Sequence, residues 1–333
     1  MAYYFNLPPS TDLTRDQQLA VDETEPIALS GGPGTGKTVV NLWRHIFNYE
    51  NGGAKSLLLT YTKTLEYFLR QSAKAKNLDA SRNIDRTYRW TFGGGQSHFD
   101  EIIVDEAQDV EISKYNIIKR FSNQCTYGAD EAQSLYPDKC CTVEQLKNLF
   151  PDNEEYTLDV NFRNSREILL FTKSVFPSVF IPQRTITNAE ETGIKPIVQI
   201  VGWDEDEAIN KIIEIAKEYS SDTHNIGVLV VSKKQVNQYY EQLKDKIDCT
   251  KYEGEMDDFD TLGNIHVTTF KSAKGIEFDT VIIPNFDSYD WFIQNTDMIG
   301  MNDYYVALTR AKLNMFLICK FSLNINDGTY ETE

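Results

Sequence analysis

Cysteine is sparse in this chain, basic residues are outnumbered by acidic ones, and no apolar run is long enough to span a membrane. The five cysteines (Cys125, Cys140, Cys141, Cys249, Cys319) include no Cys-x-x-Cys pair. A disulfide-stapled secreted scaffold is therefore not expected, and reduced thiols in a cytosol are. The opening residues, Met-Ala-Tyr-Tyr-Phe-Asn-Leu-Pro-Pro, have no basic start and no long apolar core. No later run reaches the ~20 apolar residues of a transmembrane helix. The expectation is a cytoplasmic protein with no membrane partner. Internal repeats and low-complexity tracts are also missing, so the chain reads as globular almost throughout, with about two domains for its 333 residues. Fifty Asp and Glu against 33 Lys and Arg give a formal net charge of −17. That counts against casual nucleic-acid binding, because polyanions are held largely through Lys and Arg.

What is present is a phosphate loop. Residues 31–38 read Gly-Gly-Pro-Gly-Thr-Gly-Lys-Thr, after the short apolar run Pro-Ile-Ala-Leu at 26–29 and before Val-Val-Asn-Leu-Trp, which has amphipathic helical spacing. In such a strand, loop, helix unit the backbone around Gly34, Thr35 and Gly36 turns its N–H groups toward phosphate oxygens. Lys37 places a charge near the β and γ oxygens, and the Thr38 hydroxyl can hold Mg²⁺. Downstream, Ile-Ile-Val leads into Asp105-Glu106-Ala107-Gln108-Asp109. A carboxylate ending a buried apolar strand is costly unless it has a partner. Asp105 can bind the Mg²⁺ carried by Thr38, and Glu106 can orient and deprotonate the attacking water.

Charge is not evenly spread. Between Lys63 and Arg89 seven basic residues face three acidic ones, with Tyr67, Tyr88 and Trp90 close by. Two readings stay open: a strand-binding face, or an ordinary solvated helix over residues 62–76. Tyr61 and Trp90 are candidates to stack bases, with core packing the other reading for Trp90. Thr62, Thr87 and Thr269 are candidates to hydrogen-bond backbone phosphates.

Apolar runs at 27–29, 56–59, 101–104 and 125–128 predict buried parallel strands in the first half. In the second half, strands are predicted at 197–201, 226–231, 265–268, 280–283 and 315–319, and helices at 205–218, 233–246 and 302–312. The alternation predicts an α/β protein of two mainly parallel, doubly wound sheets flanked by helices. The expected domains are 1–150 and 151–323, hinged at the Pro-Asp-Asn-Glu-Glu stretch 151–155, followed by a loosely held acidic tail at 324–333. Residues 48–53 and Gly93-Gly94-Gly95 are expected as connectors.

These segments occur in a familiar order. The chain resembles the superfamily 1 helicases of the UvrD/Rep type. Leu-Thr-Arg-Asp-Gln at 13–17 resembles the Q motif, Thr-Tyr-Thr-Lys at 60–63 the first strand-binding motif, and residues 105–109 the Walker B motif. Ala-Asp-Glu-Ala-Gln-Ser-Leu-Tyr at 129–136 resembles the sensor motif that follows. In the second half, residues 158–165, 268–278 and 305–312 resemble the last three motifs. The resemblance implies two RecA-like P-loop NTPase domains with an ATP cleft between them. Gln17 would contact adenine, Gln133 would lie near the γ-phosphate, Phe162 would stack on the base and Glu277 would hold the ribose. Arg163 and Arg310 would act as arginine fingers. It implies ATP and Mg²⁺ as cofactors, single-stranded DNA as the partner with RNA not excluded, and 3′ to 5′ movement.

Departures matter too. The sensor motif usually continues Trp-Arg-Gly in this family, whereas this chain continues Tyr136-Pro137-Asp138-Lys139. Lys271 stands where histidine is common and Ala129 where glycine is. Too little chain separates the motifs for the family's large accessory subdomains. Two functional readings follow. One is a DNA-dependent ATPase that translocates on single strands, with unwinding dependent on a partner. The other is an ATP-gated regulatory subunit controlling a nuclease or another effector.

Overall fold

A computed structural model describes residues 7–50, 54–93, 97–136, 138–251, 262–297, 299–325 and 327–333. The chain divides into two compact units, one ending at Val160 and the next beginning at Asn161.

The first unit holds six parallel strands: β1 (Ile27–Gly31), β2 (Ser56–Thr60), β3 (Ile84–Arg86), β4 (Glu101–Val104), β5 (Gln124–Gly128) and β6 (Glu154–Leu158). They lie in the order β3-β2-β4-β5-β1-β6. Its helices are α1 (Arg15–Asp22), α2 (Lys37–Glu50), α3 (Lys63–Lys74), α4 (Leu78–Arg82), α5 (Thr87–Phe92), α6 (Ile112–Ile118) and α7 (Val143–Leu149). Successive strand residues point to opposite faces, so the apolar runs feed two cores. Leu29, Leu58 and Ile103 pack with Val40, Trp43, Leu65 and Leu69 of α2 and α3. Their neighbours Ala28, Leu57, Leu59, Ile102 and Val104 pack with Trp90, Tyr115 and Leu146 of α5, α6 and α7.

The second unit has the helices α8 (Arg166–Val175), α9 (Gln183–Thr187), α10 (Glu205–Tyr219), α11 (Lys233–Leu243), α12 (Tyr289–Asn295) and α13 (Met301–Leu308). Its strands are β7 (Ile197–Ile200), β8 (Ile226–Val230), β9 (Thr250–Lys251), β10 (Ile265–Thr269), β11 (Phe278–Pro284), β12 (Ala311–Cys319) and β13 (Glu331–Thr332). They form one parallel sheet in the order β13-β7-β12-β11-β8-β10-β9. Isoleucines of α10 and Val236 and Leu243 of α11 cover one face, against Val228, Val267, Ile282 and Phe316.

Three expectations need correction. The hinge expected at 151–155 runs into an edge strand, β6, paired residue for residue with β1 from Ile27 to Gly31, so the boundary falls about ten residues later than 150. The end of the chain is not loose. Glu333 accepts from Ile200 N and donates its N–H to Val198 O, adding β13 beside β7. The helix expected over 302–312 stops at Leu308, and β12 takes the chain from Ala311. Residues 48–50 close α2, while the rest of that expected connector, and Gly94 and Gly95, lie outside the described residues.

Candidate functional site

The phosphate loop is shaped by glycines with no alternative. Gly31 closes β1 at φ +151°, and a Cβ there would sit 2.6 Å from both the Leu158 carbonyl oxygen and Thr35 Oγ1. Gly34 and Gly36 take φ +67° and +88°, where an L side chain is strained. Thr35 Oγ1 donates to Gly32 O at 2.9 Å. Gln17 braces the loop from outside. Its Nε2 donates to Thr35 O at 3.0 Å, while its Oε1 accepts from Thr14 N at 2.9 Å in the capping box that starts α1. The residue expected at adenine is thus buried against the loop backbone.

Lys37 opens α2 and donates to the carbonyls of Gly31 (2.7 Å) and Gly32 (2.8 Å), with Asp130 Oδ2 3.7 Å away. Thr38 Oγ1 donates to Asp105 Oδ2 and Asn41 Nδ2 to Asp105 Oδ1, both at 2.8 Å. The hydroxyl and carboxylate proposed to share a metal therefore already touch. Burial, with the neighbouring Glu106 charge, pushes the Asp105 carboxyl up to about 6, against the pull of Thr38, Asn41 and Lys37. Glu106 sits in the left-handed region at φ +55°, uncommon for a non-glycine residue and typical of strained functional turns.

Sequence reasoning missed what ties these pieces together. Gln108 Nε2 donates to Glu106 Oε2 at 2.6 Å, and its Oε1 accepts from Asp130 N at 3.1 Å. Gln133 Nε2 donates to Asp130 Oδ2 at 2.6 Å. Asp130 therefore faces both Lys37 and Gln133. Its place in the sensor motif was visible, but its partners were not. Asn41, one turn beyond Thr38, carried the helical spacing that could have flagged it. Gly128, at the end of β5, leaves room for it, since a Cβ there would lie 2.7 Å from Asn41 Nδ2.

The glycine cradle, the Lys37 ammonium held at the loop carbonyls and the hydroxyl–carboxylate pair fit a Mg²⁺-nucleotide. Among the described residues no group of three or more His, Cys, Asp or Glu could hold a metal by itself, and a single carboxylate beside a phosphate-bound cation needs none.

In the second unit Asn161 Oδ1 accepts from the backbone N–H groups of Arg163 and Asn164, each at 2.8 Å. Asn164 Nδ2 donates to Thr309 O (3.1 Å) and Ala311 O (2.6 Å). This stitches the 161–164 turn to the segment that carries Arg310. Arg163 Nε donates to Glu277 Oε2 at 2.8 Å, and Lys312 lies 3.8 Å from the same carboxylate. Burial opposes ionisation of Glu277, but Arg163 and Lys312 outweigh it and hold the carboxyl below its ordinary value. Phe162 is 56% exposed, an available stacking face. Arg310 is only 1% exposed. Its guanidinium donates to Val306 O, Ile276 O and Thr309 Oγ1, capping the carboxyl end of α13.

The strand-contact candidates separate. The Tyr61 ring lies 6.0 Å from Tyr88 and 6.2 Å from Tyr136. Thr62 caps α3 by accepting from Leu65 N, and Thr269 Oγ1 pairs with Ser272. Trp90 is a correction: it packs edge-on to Phe121 at 5.5 Å within the core, leaving no face for a base. Thr87 is another, fully buried with its hydroxyl donating to Thr60 O. Three arginines of the basic stretch are engaged from within, because the buried Glu66 carboxylate receives Arg70, Arg86 and Arg89.

Comparison with known proteins agrees with this layout. Residues 17–137 match the model of an AAA domain, and residues 250–321 that of the UvrD-like helicase C-terminal domain. A protein of Acanthamoeba polyphaga mimivirus, provisionally named an ATP-dependent DNA helicase, is 26% identical over 247 residues, 67% of this chain and 34% of its own length. The chain thus spans about a third of the curated relative it matches. Among solved structures, S. cerevisiae Dbp5 bound to RNA and ADP BeF3 aligns over 92% of this chain and 84% of that one, at 12% identity and a TM-score of 0.57, a likeness of fold. Among the described residues no helix is long and apolar enough to cross a membrane. With residues 17–137 similar to a phosphate-loop AAA domain, residues 250–321 similar to the UvrD-like helicase C-terminal domain, and a RecA-like fold in both units, the chain is similar in both halves to the UvrD-like superfamily 1 helicases.

Proposed function

We propose that this chain is a cytoplasmic, Mg²⁺-dependent ATPase whose turnover is stimulated by single-stranded nucleic acid, DNA before RNA, and that it translocates 3′ to 5′, with duplex unwinding dependent on a protein partner. The observation that carries the reading is the 2.8 Å bond between Thr38 and Asp105 beside Lys37. Bound Mg²⁺-ATP supplies the γ-phosphoryl group and the metal charge that neutralises it. The chain's own residues then divide the work. Gly34, Thr35 and Gly36 present backbone N–H groups. Lys37 would turn from the loop carbonyls to phosphate oxygens, and Thr38 and Asp105 would hold the cation. Glu106, positioned by Gln108, takes the proton of the attacking water, while Gln133 is oriented through Asp130.

In the second unit, Phe162 offers its exposed ring to adenine and Glu277 its carboxylate to the ribose. Arg163 is the first choice for a phosphate-directed guanidinium, because it is held by one partly exposed ion pair. Arg310 takes the same role only when its bonds to Val306 and Ile276 open. Tyr61, with Tyr88 and Tyr136 around it, supplies the stacking surface for the strand, aided by Thr62 and Thr269.

The test is ATP turnover with and without oligodeoxythymidylate or oligouridylate. Stimulation that declines with rising salt supports the reading. Turnover indifferent to both polymers rejects it.

A further inference from the structure

The carboxyl ends of β7, β11 and β12 in the second unit frame a small cleft of about 50 Å³ open to solvent, walled by Gln238, Tyr239 and Gln242 of α11. None of the nucleotide or strand residues named above lines it. Two large aromatics stand at its mouth. Trp203 is 74% and Phe321 55% exposed, and their rings meet nearly at right angles with centroids 5.6 Å apart. Two turns fix the lips. Gly202 takes φ +60°, and Asn285 is held at φ +54° while its Nδ2 donates to Tyr239 Oη at 2.9 Å. A non-glycine residue in that conformation, at the end of a buried strand, marks a turn kept for its shape.

We propose that this cleft docks an arginine-bearing segment of a protein partner. Its chemistry favours a cation over a phosphate. Lys320 Nζ already lies 4.3 Å above the Trp203 ring, so the indole face is a working seat for positive charge, and a planar guanidinium stacks there better than an ammonium. Asp204, Glu205, Asp206 and Glu207 follow Trp203 directly, against the single Lys320. Asp204 is engaged as the cap of α10, accepting from Glu207 N, but its charge remains at the rim. That rim repels a nucleic-acid backbone and steers a basic segment inward. An aromatic notch bordered by acids, with amide and hydroxyl groups for the ligand backbone, is a mode by which extended peptides are recognised. The inference does not depend on the ATPase reading.

The experiment is fluorescence anisotropy of a labelled short peptide of alternating proline and arginine on the full chain at physiological salt, with oligodeoxythymidylate as competitor. Trp203→Ala is expected to weaken the peptide at least about tenfold, as an exposed aromatic anchor does when removed. Glu205→Gln is expected to weaken it a few-fold, and Lys320→Ala, which vacates the indole face, to tighten it. Oligodeoxythymidylate leaves the peptide in place. Equal binding by Trp203→Ala and wild type would show only diffuse attraction to an acidic protein and overturns the proposal, as does loss of affinity in Lys320→Ala or absence of peptide binding. Displacement by the oligonucleotide, together with loss of oligonucleotide affinity in Trp203→Ala, reassigns the cleft to nucleic acid.

Discussion

Asp105→Asn is expected to make the metal-free protein more stable while destroying its activity. The side chain is buried and hydrogen-bonded on both oxygens, yet its carboxyl is pushed up from 3.8 to about 6. For an acid with a raised folded-state value, the ionised form is the one the fold disfavours. The penalty is absent below about 4, grows between about 4 and 6, and is full above that, where it reaches about 3 kcal/mol. Asparagine removes the charge and the repulsion from Glu106 without changing shape. Its oxygen can still accept from Asn41, and its amide can donate to the Thr38 hydroxyl, which turns to accept. The first unit, the size of a small domain, should gain up to about 3 kcal/mol at pH 8, or about 6 to 12 °C in midpoint.

The assay is urea unfolding in EDTA at pH 4.5 and pH 8, with hydrogen exchange in β4 and β5 peptides following the first unit alone, since two units need not unfold together. Turnover with Mg²⁺ should fall at least about a hundredfold, the stability–activity trade-off expected of a carboxylate retained to hold a cation. A variant less stable than wild type at pH 8, or a gain of equal size at both pH values, would refute the reasoning, because only a buried ionised carboxylate predicts the pH dependence.

Three further outcomes follow from the same geometry. Lys37→Ala and Glu106→Gln should each nearly abolish hydrolysis, with Glu106→Gln still binding ATP in equilibrium dialysis; normal turnover in the latter removes Glu106 as the base. Arg163→Ala should cost no more than about 1 kcal/mol in urea unfolding, because its ion pair is partly exposed, yet lower turnover by about 10³ or more if it acts as a finger. Arg310→Ala, by contrast, should destabilise the second unit by several kcal/mol, leaving buried carbonyls unpaired. Tyr61→Ala should weaken oligodeoxythymidylate by about 1 to 3 kcal/mol in anisotropy titrations, whereas Trp90→Ala should lose about 3 to 5 kcal/mol of stability with no selective loss of strand affinity.

The nucleotide half of this site was legible because its chemistry is local. A loop that must turn N–H groups inward needs glycines at fixed positions, and the lysine and threonine follow at the helix start. Asp105 was legible because an acid closing the run Ile-Ile-Val has few structural excuses. The rest depends on partners distant in sequence. Glu154 and Glu155 gave no apolar alternation, since β6 is an edge strand with a mostly exposed pattern, and only its pairing to β1 makes it part of the first unit. The segment from Thr309 to Lys312 has helical composition, but Asn164 takes the Thr309 and Ala311 carbonyls and Arg310 closes the helix, so the backbone leaves as a strand. Trp90 was ambiguous because an aromatic on a short helix can face core or solvent, and Phe121 decides it. Gln17 was read for the base it could touch, not for the capping box and loop carbonyl that occupy its amide.

The basic stretch between Lys63 and Arg89 shows why a count of charges misleads. Glu66, buried on α3, receives Arg70, Arg86 and Arg89, and Arg89 also meets Asp85 at 2.6 Å. Three guanidinium groups thus meet two carboxylates, clamping β3 and α5 onto α3, so these arginines together keep one formal positive charge rather than three. Stacking on the Tyr61, Tyr88 and Tyr136 rings would then add to the phosphate contacts that the stretch's remaining surplus of basic residues can make. Stacking on aromatics is tolerant of sequence, while the phosphate contacts beside it carry the salt dependence. For a chain of net charge −17, contacts to base faces would limit the long-range repulsion that a polyanion meets. Holding bases by their faces as well as by phosphate contacts would let an acidic protein bind a polyanion without a continuous basic groove.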